Sequence, residues 1–406
     1  MPNSANALLL RMAPSIYGPT ILFTLGQSAL LPLIPVLAVH LGAGLGLSGI
    51  IASGLVVGQL AGNLPASWVV SRSGERVAML LAAGVACVGA LGIAFAPSLG
   101  ILAVSVFVIG FAAATFGLAR HSFMTTRVPF SFRSRALALI GGSHRLGRFA
   151  GPFLAAGLVA LTGVAQSPVW AFAVCLALTA LLVAFAPDPE RVVPALTADD
   201  TAAEDVRTGV IPAIRAGGAP LTRVGGPAAI LSGLRAVKDV LLPIWGVSIG
   251  LDPAQVALVM GLSGTVDFAL FYLGGQITDR FGRMWAALPP TIAMAISFFA
   301  LSLTHDVPGA VGWLIGCSVL IGIGNGLSSG IILTLGADLA PRAKPAPFLA
   351  AWRTLVDLGG AAVPLGVSAL AAVSLPLAAA AVGGIAVLGA AGFARWIPRY
   401  VPRSRA

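Results

Sequence analysis

The chain has 406 residues, of which 58% are hydrophobic and only 9% are charged. Because roughly a quarter of the residues of soluble proteins are charged, this composition excludes a soluble globular domain and indicates an all-α polytopic membrane protein. The net charge of +10 would suggest a nucleic-acid partner in a soluble protein. In a membrane protein it is typical of basic loops on one side of the bilayer, so we expect lipid rather than nucleic acid as the surroundings.

Twelve apolar runs have about the 20 residues with which a helix crosses a bilayer, and we number them spans 1 to 12. Spans 1 to 6 cover residues 17–39, 47–70, 77–96, 99–119, 136–162 and 168–186. Spans 7 to 12 cover residues 228–250, 253–278, 285–303, 309–335, 347–373 and 375–393. The sequence thus predicts twelve transmembrane helices in two pseudo-symmetric six-helix bundles, residues 1–186 and 228–406, joined by a polar cytoplasmic linker at 187–227.

The basic residues between the spans predict the side of the membrane on which each loop lies. If the amino terminus is cytoplasmic, the inner loops and tails hold every lysine and arginine outside the spans: Arg11, Arg72, Arg76, Arg120, Arg127, Arg133, Arg135, Arg191, Arg207, Arg215, Arg223, Arg280, Arg283, Arg342, Lys344, Arg395, Arg399, Arg403 and Arg405. The titratable residues of the outer loops are His40, Asp252, His305 and Asp306. This asymmetry predicts a bacterial cytoplasmic (inner) membrane protein with both termini in the cytoplasm.

Apolar residues from Leu8 continue directly into span 1, so we expect no cleavable signal peptide. The three cysteines, Cys87, Cys175 and Cys317, are isolated in apolar runs. That pattern favours small buried side chains over a disulfide or a metal site. The sequence shows no phosphate-binding loop, metal cluster or nucleophile triad, so we expect no enzyme activity and no cofactor.

The two halves of the chain repeat each other. Ile-Gly-Phe around Gly110 in span 4 matches Ile-Gly-Ile around Gly322 in span 10. Gly151 in span 5 matches Gly359 in span 11, each of them six residues after an arginine. Parallel six-plus-six repeats are typical of transporters that open a central site alternately to the two sides of the membrane.

A motif follows span 8: Gly275-x-x-x-Asp279-Arg280-x-Gly282-Arg283. We expect Gly275 to permit close helix contact and Asp279 to face the positive amino terminus of a neighbouring helix. The two arginines can bond helix carbonyls or acidic groups. The motif resembles the loop signature of the major facilitator superfamily, which implies a twelve-helix secondary transporter with a latch at its inner gate.

The loop after span 2 holds a degenerate copy of this motif. It keeps Arg72, Gly74 and Arg76 but has serine, at positions 67 and 71, where the family pattern has glycine and aspartate. The latch of the first half therefore lacks its expected aspartate, for which Glu75 can substitute in part.

Span 1 carries Gly26 followed by Pro32 and Pro35. Proline kinks a membrane helix, and we expect this kink near the outer gate. The pattern resembles a signature of the twelve-span drug:proton antiporters of this superfamily; the alternative is an ordinary proline-containing membrane helix.

Span 5 carries Gly147-x-x-x-Gly151-Pro152-x-x-Ala155-Ala156. Its glycines let another helix approach closely. The pattern resembles the fifth-helix signature of the same antiporters, with alanines in place of the last two glycines, and implies export rather than uptake. The arginine that the family's fourth-helix pattern places before Gly110 is absent, because Val106 stands there, so any proton-coupling charge must lie elsewhere.

Charged side chains within the spans are few, and spans 3, 6, 9 and 12 have none. Charge in the hydrocarbon core costs about 3 kcal/mol or more, so we interpret these residues as a proton-coupling or interdomain charge network. They are His144, Arg145 and Arg148 in span 5, Arg235, Lys238 and Asp239 in span 7, Asp267 in span 8, and Arg353 and Asp357 in span 11. His144 can titrate near neutral pH, although a packing or hydrogen-bonding role is the alternative.

Spacing of four residues places Arg235 and Asp239 on one helix face, and likewise the arginine and aspartate of span 11, so each can form an ion pair. Asp267 has no basic residue on its own span. Resemblance to the superfamily makes spans 5 and 8 neighbours across the domain interface, so we predict that Arg145 or Arg148 pairs with Asp267. The pair is either a static clasp or one that opens when Asp267 or Asp239 takes up a proton.

The in-span charges sum to a net positive value, which favours a neutral or anionic substrate over a strongly cationic one. Polar and aromatic candidates for the substrate cavity are Gln27, Phe111, Thr115, Trp245 and Asn325. The first functional hypothesis is proton-driven efflux, by alternating access, of small amphipathic or drug-like molecules, as in multidrug resistance. The second is proton-coupled transport of an organic anion or other small metabolite, and the third is a non-transporting scaffold or receptor. We expect the protein to work as a monomer.

Overall fold

The structure, a computed structural model, describes residues 16–127, 130–185, 218–341 and 345–401. The predicted linker up to residue 217, the inner-loop residues Arg342 and Lys344, and the basic residues of both tails that fall beyond these ranges lie outside the described residues.

The first half of the chain forms six helices. They are α1 (Gly18–Leu30), α2 (Ile34–His40), α3 (Leu45–Ala94), α4 (Leu99–Arg127), α5 (Phe130–Thr162) and α6 (Ser167–Phe185). Helices α1 and α2 together are span 1, and the 50 residues of α3 contain spans 2 and 3. Gly74 divides α3, because its φ of 76° and ψ of 167° are not helical.

The second half begins with a short helix, α7 (Gly218–Arg223), in the predicted linker. Seven helices follow: α8 (Gly225–Ser248), α9 (Pro253–Arg280), α10 (Arg283–Leu303), α11 (Ala310–Leu327), α12 (Ile331–Leu339), α13 (Pro345–Ala371) and α14 (Leu375–Tyr400). Helices α11 and α12 together are span 10. The twelve predicted spans are therefore all helical, and the predicted fold is confirmed.

Judged by length and composition alone, nine of the described helical segments are long and apolar enough to cross a membrane. The 50-residue α3 counts once in that set although it holds two spans. The helices of spans 5 and 7 fall outside it because their basic residues lower the mean hydropathy. Spans 8 and 11, which carry one and two charged residues, still meet this criterion.

Several helix boundaries correct the sequence prediction. The helix of span 5 begins at Phe130, and that of span 12 ends at Tyr400 and so contains Arg395 and Arg399, which were assigned to the tail.

Span 4 was expected to end at residue 119, but its helix continues to Arg127, so that Arg120 lies within the helix rather than in a loop. Span 10 was expected to be continuous, but it breaks at residues 328–330, where Gly330 has a φ of 80°. A residue with positive φ cannot continue a right-handed helix, and glycine adopts this conformation without a steric penalty.

Span 1 is interrupted at Pro32, as a proline kink requires, and its predicted place near the outer gate stays a prediction. Leu31–Leu33 forms one turn of 3₁₀-helix between α1 and α2, and Pro32 lies in this turn. Proline lacks a backbone N–H and crowds the preceding turn, so the helix cannot pass through it with regular hydrogen bonds.

The described residues form two compact units, and the described residues up to 185 and those from 218 onward fall in different units. The N-terminal unit contains the helices of the first half except Gly44–Ser53, the beginning of span 2. That segment groups with the C-terminal unit, where the Ser53 hydroxyl lies 3.4 Å from the Ser368 hydroxyl.

Matching glycines occupy matching helix crossings in the two units. A Cβ atom at Gly151 of span 5 would lie 2.7 Å from the Leu25 carbonyl oxygen of span 1, and one at Gly359 of span 11 would lie 2.2 Å from the Ala229 carbonyl oxygen of span 7. Small residues let membrane helices approach until their backbones touch. The internal repeat seen in the sequence is therefore a repeat of helix contacts.

The other glycine pair of the repeat behaves in the same way. A Cβ atom at Gly110 of span 4 would lie 2.0 Å from the Leu55 carbonyl oxygen of span 2. At Gly322 of span 10 it would lie 2.6 Å from the Ser263 carbonyl oxygen of span 8. In each unit the first helix of the repeat therefore packs directly on the fifth, and the second helix packs directly on the fourth.

Candidate functional site

A polar cluster lies within the C-terminal unit where spans 7, 8 and 10 meet. We call it the C-terminal polar cluster: Arg235, Asp267, Asn325 and Ser328. The Asn325 side-chain nitrogen Nδ2 donates to Asp267 Oδ2 at 2.6 Å. Arg235 Nη2 donates to the Asn325 backbone oxygen at 3.0 Å and to Ser328 Oγ at 2.9 Å. Three of these four residues are predicted site residues, on three different spans.

The break in span 10 explains why Arg235 binds there. Helix α11 ends at Leu327, so the last carbonyls of that helix have no following turn whose N–H groups could donate to them. A helix carboxyl end also carries a partial negative charge, which a cation stabilises. Arg235 therefore acts as a side-chain cap for the interrupted helix, and its position depends on the break.

The remaining charges of span 7 lie next to this cluster in sequence. Lys238 is 4% exposed, and its Nζ lies 3.1 Å from Asp239 Oδ1. A buried lysine is stable as a cation only beside a counter-charge, so Asp239 holds a charged pair within the membrane. In span 11 the predicted pair is present, with Arg353 Nε 3.8 Å from Asp357 Oδ2.

A second set of charges lies within the N-terminal unit, where spans 4 and 5 come together. We call it the N-terminal basic cluster: Arg120, His121, His144, Arg145 and Arg148. All four other members are close enough to the His144 imidazole to interact with it electrostatically. His144 Nδ1 also lies 3.2 Å from the Thr24 hydroxyl of span 1. Arg120 Nε is buried and has no hydrogen-bond partner among the described residues.

The described part of the N-terminal unit has almost no negative charge with which to balance this cluster. Glu75 is the only acidic residue before Asp188 in the sequence. Its Oε1 accepts a hydrogen bond from the Ser122 hydroxyl at 3.1 Å. One carboxylate can neutralise one guanidinium at most, so the cluster keeps a net positive charge.

The five predicted cavity residues differ in their surroundings. Gln27, Thr115 and Trp245 are buried, and Phe111 and Asn325 are half-buried. The Trp245 ring packs edge-to-face on His305, with centroids 5.1 Å apart. Asn325 belongs to the C-terminal polar cluster.

The predicted pairing of Arg145 or Arg148 with Asp267 would join residues of different units and stays a prediction.

The two gating loops share a backbone conformation. Gly74 and Gly282 have φ/ψ values of 76°/167° and 91°/168°, which lie outside the range open to other residues. In each loop one arginine bonds a helix carbonyl or an acidic group. Arg76 Nε donates to the Val183 backbone oxygen at 3.0 Å, at the end of span 6. Arg283 Nε donates to Asp338 Oδ2 at 2.7 Å, in the second segment of span 10.

The role predicted for Gly275 is wrong. A Cβ atom at this residue would have no atom within 4 Å, whereas one at Gly274 would lie 2.6 Å from the Leu327 carbonyl oxygen. The close contact of span 8 thus belongs to Gly274, which lies one helical step, about 100°, away around the helix. Asp279 and Arg280 of the same motif are exposed, with the Arg280 guanidinium 5.7 Å from the Phe281 ring centroid.

The motifs of spans 1 and 5 form one helix crossing. A Cβ atom at Gly147 would lie 2.8 Å from the Leu25 backbone nitrogen, and one at Gly151 would lie 2.6 Å from the Ser28 Cβ. On the opposite side of span 1, a Cβ atom at Gly26 would lie 2.5 Å from the Phe172 ring of span 6. Span 1 is therefore held closely between spans 5 and 6.

Gly151→Ala is expected to lower the transport rate strongly, whereas Gly157→Ala on the same helix is expected to leave it unchanged. The added methyl group at residue 151 would meet the backbone of span 1, while at residue 157 it meets nothing within 4 Å. Overpacking of this kind costs about 1–3 kcal/mol. Flux into proteoliposomes, normalised to folded protein, measures the difference; equal rates for the two variants would contradict a role for this crossing.

Sequence reasoning missed three residues that contribute to these clusters. Arg120 was placed in a loop, and His121 next to it was not considered. Ser328 was overlooked, although the Ser-Ser-Gly triplet at residues 328–330 interrupts an otherwise apolar run and signals a helix break. Within the described ranges, no group of three histidine, cysteine, aspartate or glutamate residues is arranged to hold a metal ion.

Comparison with known proteins places these features in a family. Residues 19–364 match the model of the Major Facilitator Superfamily. No curated protein matches the chain significantly by sequence. Among solved structures, a D-xylose–proton symporter is 15% identical with a TM-score of 0.74, and 98% of each chain is covered.

Two further solved structures have the same fold. A peptide transporter of the POT type, in complex with sulfate, is 14% identical with a TM-score of 0.76, over 97% of this chain and 94% of the other. A bacterial homologue of the human lysosomal transporter Spinster, in an inward-facing and unoccupied conformation, is 14% identical with a TM-score of 0.70, over 96% of each chain. At these identities the likeness concerns the fold alone.

Proposed function

Because the chain belongs to the major facilitator superfamily, we propose that it is a proton-coupled transporter of small organic anions. Membership of the family makes it an integral membrane protein and a secondary transporter of small molecules, not an enzyme. The substrate class, the coupling to protons and the direction of transport are the proposed part.

The N-terminal basic cluster is the observation that supports an anionic substrate. Three arginines and two histidines gather where the described part of the unit has a single acidic side chain, Glu75, and the buried Arg120 Nε has no bonding partner in the described part of the chain. A buried donor without an acceptor is unfavourable by about 1–3 kcal/mol. A carboxylate or sulfonate group of a substrate supplies both the acceptor and the missing negative charge, and arginine binds such groups with a planar fork of donors.

Asp267 is the proposed proton carrier. It is half-buried in span 8, and its carboxylate accepts a short hydrogen bond from Asn325. An ionised carboxylate within the membrane is stable only with such partners, and protonation removes the charge. Protonation of Asp267 would therefore loosen the C-terminal polar cluster, to which Asn325 also contributes its backbone oxygen.

Arg120→Gln is expected to reduce the binding of an anionic substrate at least about tenfold, the effect of losing roughly 1.4 kcal/mol. Three molecules of similar size and different charge serve as probes: benzenesulfonate, benzenesulfonamide and trimethylphenylammonium. Thermal stabilisation of the purified protein by each probe is measured, and we expect the sulfonate to stabilise the wild type most. Arg72→Gln, which removes an exposed arginine of the same unit, is the matched control and should keep that preference.

Preferential stabilisation by the ammonium probe would contradict the anionic substrate. Proteoliposomes with an imposed pH gradient test the coupling separately. If the flux of the preferred probe does not respond to the gradient, the proton-coupled mechanism is contradicted. The proposed substrate class is not affected by that result.

Proton-driven efflux of amphipathic or drug-like molecules is the second candidate. Its support is the crossing of spans 1 and 5, where Gly147 and Gly151 of the antiporter-like motif make backbone contact with span 1. Equal flux of the three probes, in the outward direction only, would favour this candidate over the first.

A further inference from the structure

Three arginines surround one tryptophan at the end of span 12. The Trp396 ring centroid lies 4.8 Å from the Arg223 Cζ, 5.1 Å from the Arg395 Cζ and 5.2 Å from the Arg399 Cζ. Arg223 Nη1 also donates to the Tyr400 hydroxyl at 2.6 Å. We call these five residues the Trp396 arginine cluster, and all of them belong to the C-terminal unit.

Packing between the short helix α7, the start of α8 and the end of α14 holds the cluster together. A Cβ atom at Gly392 would lie 2.4 Å from the Pro227 ring, so the beginning of span 7 rests directly on span 12. Leu221 and Val224, on either side of Arg223, are buried, as is Ile397 of span 12. The geometry is therefore set by apolar contacts rather than by the arginines themselves, which are exposed.

The arrangement concentrates positive charge. Each guanidinium lies about 5 Å from the same centroid, so the distances between them are comparable with the Debye length of about 8 Å in physiological salt, and screening removes only part of their repulsion. Within the described ranges none of the three forms an ion pair with a carboxylate; the aspartates paired in this unit are bound to Lys238, Arg283, His305 and Arg353. An aromatic face stabilises a cation but does not neutralise it.

The position of the cluster indicates the kind of anion that neutralises it. Trp396 and Tyr400 lie at the last turn of a membrane-spanning helix, where amphipathic aromatic rings are enriched because one side contacts lipid and the other contacts headgroups. Arginine binds phosphate oxygens through its planar fork. Anionic lipid headgroups are the phosphates present at this depth, and they attract clustered basic residues.

We propose that Arg223, Arg395 and Arg399 around Trp396 form a binding site for the phosphate of an anionic phospholipid headgroup. The arginines bind the phosphate oxygens, and the rings of Trp396 and Tyr400 contact the glycerol and upper acyl region. The site is separate from the N-terminal basic cluster and does not depend on the identity of the transported substrate.

Native mass spectrometry of the detergent-purified protein tests the proposal. The full chain is titrated with phosphatidylglycerol and, separately, with phosphatidylcholine carrying the same acyl chains. We expect the first phosphatidylglycerol to bind at least about tenfold more tightly than phosphatidylcholine, since each arginine near an anionic lipid surface raises the binding affinity severalfold. The triple variant Arg223→Gln, Arg395→Gln, Arg399→Gln should bind both lipids equally.

Two controls separate the site from general effects of charge and from misfolding. Arg72→Gln removes a lone arginine that lies 4.8 Å from the Trp68 ring, and it should keep the preference for phosphatidylglycerol. The triple Arg→Lys variant keeps the charge and should retain most of the preference. If the triple Gln variant does not fold, each single Gln variant should lower phosphatidylglycerol affinity about fivefold.

Inorganic phosphate distinguishes the two sources of a phosphate group. At millimolar concentration it should displace neither lipid, because it lacks the acyl chains that the aromatic rings contact. Displacement of phosphatidylglycerol by phosphate alone would overturn the lipid assignment in favour of a free-phosphate site. Equal binding of the two lipids by the wild type, or an equal loss of the preference in Arg72→Gln, would overturn the proposal altogether.

Discussion

Asp267→Asn is expected to abolish gradient-driven flux, to the level of empty liposomes, while leaving the protein folded. Asparagine cannot take up or release a proton, but its side-chain oxygen can still accept the hydrogen bond that Asn325 Nδ2 donates to Asp267 Oδ2 at 2.6 Å. Exchange of substrate across the membrane without a gradient should continue, because exchange needs no net proton movement. Flux with and without an imposed pH gradient, in proteoliposomes of each variant, measures both properties.

Asp306→Asn is the matched control for this prediction. It removes the same charge from the same unit, but the Asp306 side chain is 88% exposed and its partner is His305, outside the C-terminal polar cluster. Its gradient-driven flux should match that of the wild type. Normal coupling in Asp267→Asn would show that Asp267 does not carry the proton.

A static role for Asp267 gives a different result in the same variant. If the aspartate only holds the protein together, the asparagine variant should accumulate poorly. A second substitution that neutralises Arg145 or Arg148 should then restore the protein, as predicted for a clasp between these residues and Asp267. That rescue would argue against the proposed proton carrier.

Gly359→Ala is expected to destabilise the protein by about 1–3 kcal/mol or more, enough to lose most of the folded protein from a marginal membrane fold. The new methyl group would lie 2.2 Å from the Ala229 carbonyl oxygen, 2.6 Å from its carbon and 2.8 Å from the Ala229 Cα. These are backbone atoms of span 7, which cannot move aside as the end of a side chain can. Spans 7 and 11 would have to separate along their whole contact.

Gly366→Ala, seven residues further along the same helix, supplies the comparison. A Cβ atom there meets nothing within 4 Å, and alanine is the better helix former, so this variant should be as stable as the wild type or slightly more stable. Thermal unfolding of the detergent-purified proteins, followed by size-exclusion chromatography, measures the difference. Similar midpoints for the two variants would contradict the close crossing of spans 7 and 11.

Much of the fold could be predicted from the sequence because the bilayer imposes simple rules. A helix satisfies all its backbone hydrogen bonds within one segment, so apolar runs of sufficient length identify the spans directly. The glycines at residues 110, 151, 322 and 359 were recognised as repeats, and each is at a helix crossing. The motif glycines Gly74 and Gly282 also share a conformation in the structure, because both turns require a residue with a positive φ.

The contacts of individual glycines could not be predicted in the same way. Gly274 and Gly275 are adjacent and chemically identical in sequence, yet only Gly274 packs against another helix. Adjacent residues on a helix point about 100° apart, so a small rotation of span 8 decides which one faces span 10. That rotation is set by all the side chains of the crossing together.

By itself the sequence determined the number of membrane spans, the two-fold repeat and most of the charged residues within the spans, because hydropathy and charge are properties of each residue. The tertiary structure alone decided which of these residues act together. Asp267, Asn325 and Arg235 come from three spans. The close crossing of spans 8 and 10 brings Asn325 to Asp267, and the break at residues 328–330 leaves a carbonyl group for Arg235 to cap. Likewise Arg120 joins His144 only because the helix of span 4 continues past its apolar run. Such groupings depend on helix ends and rotations, which long-range packing sets.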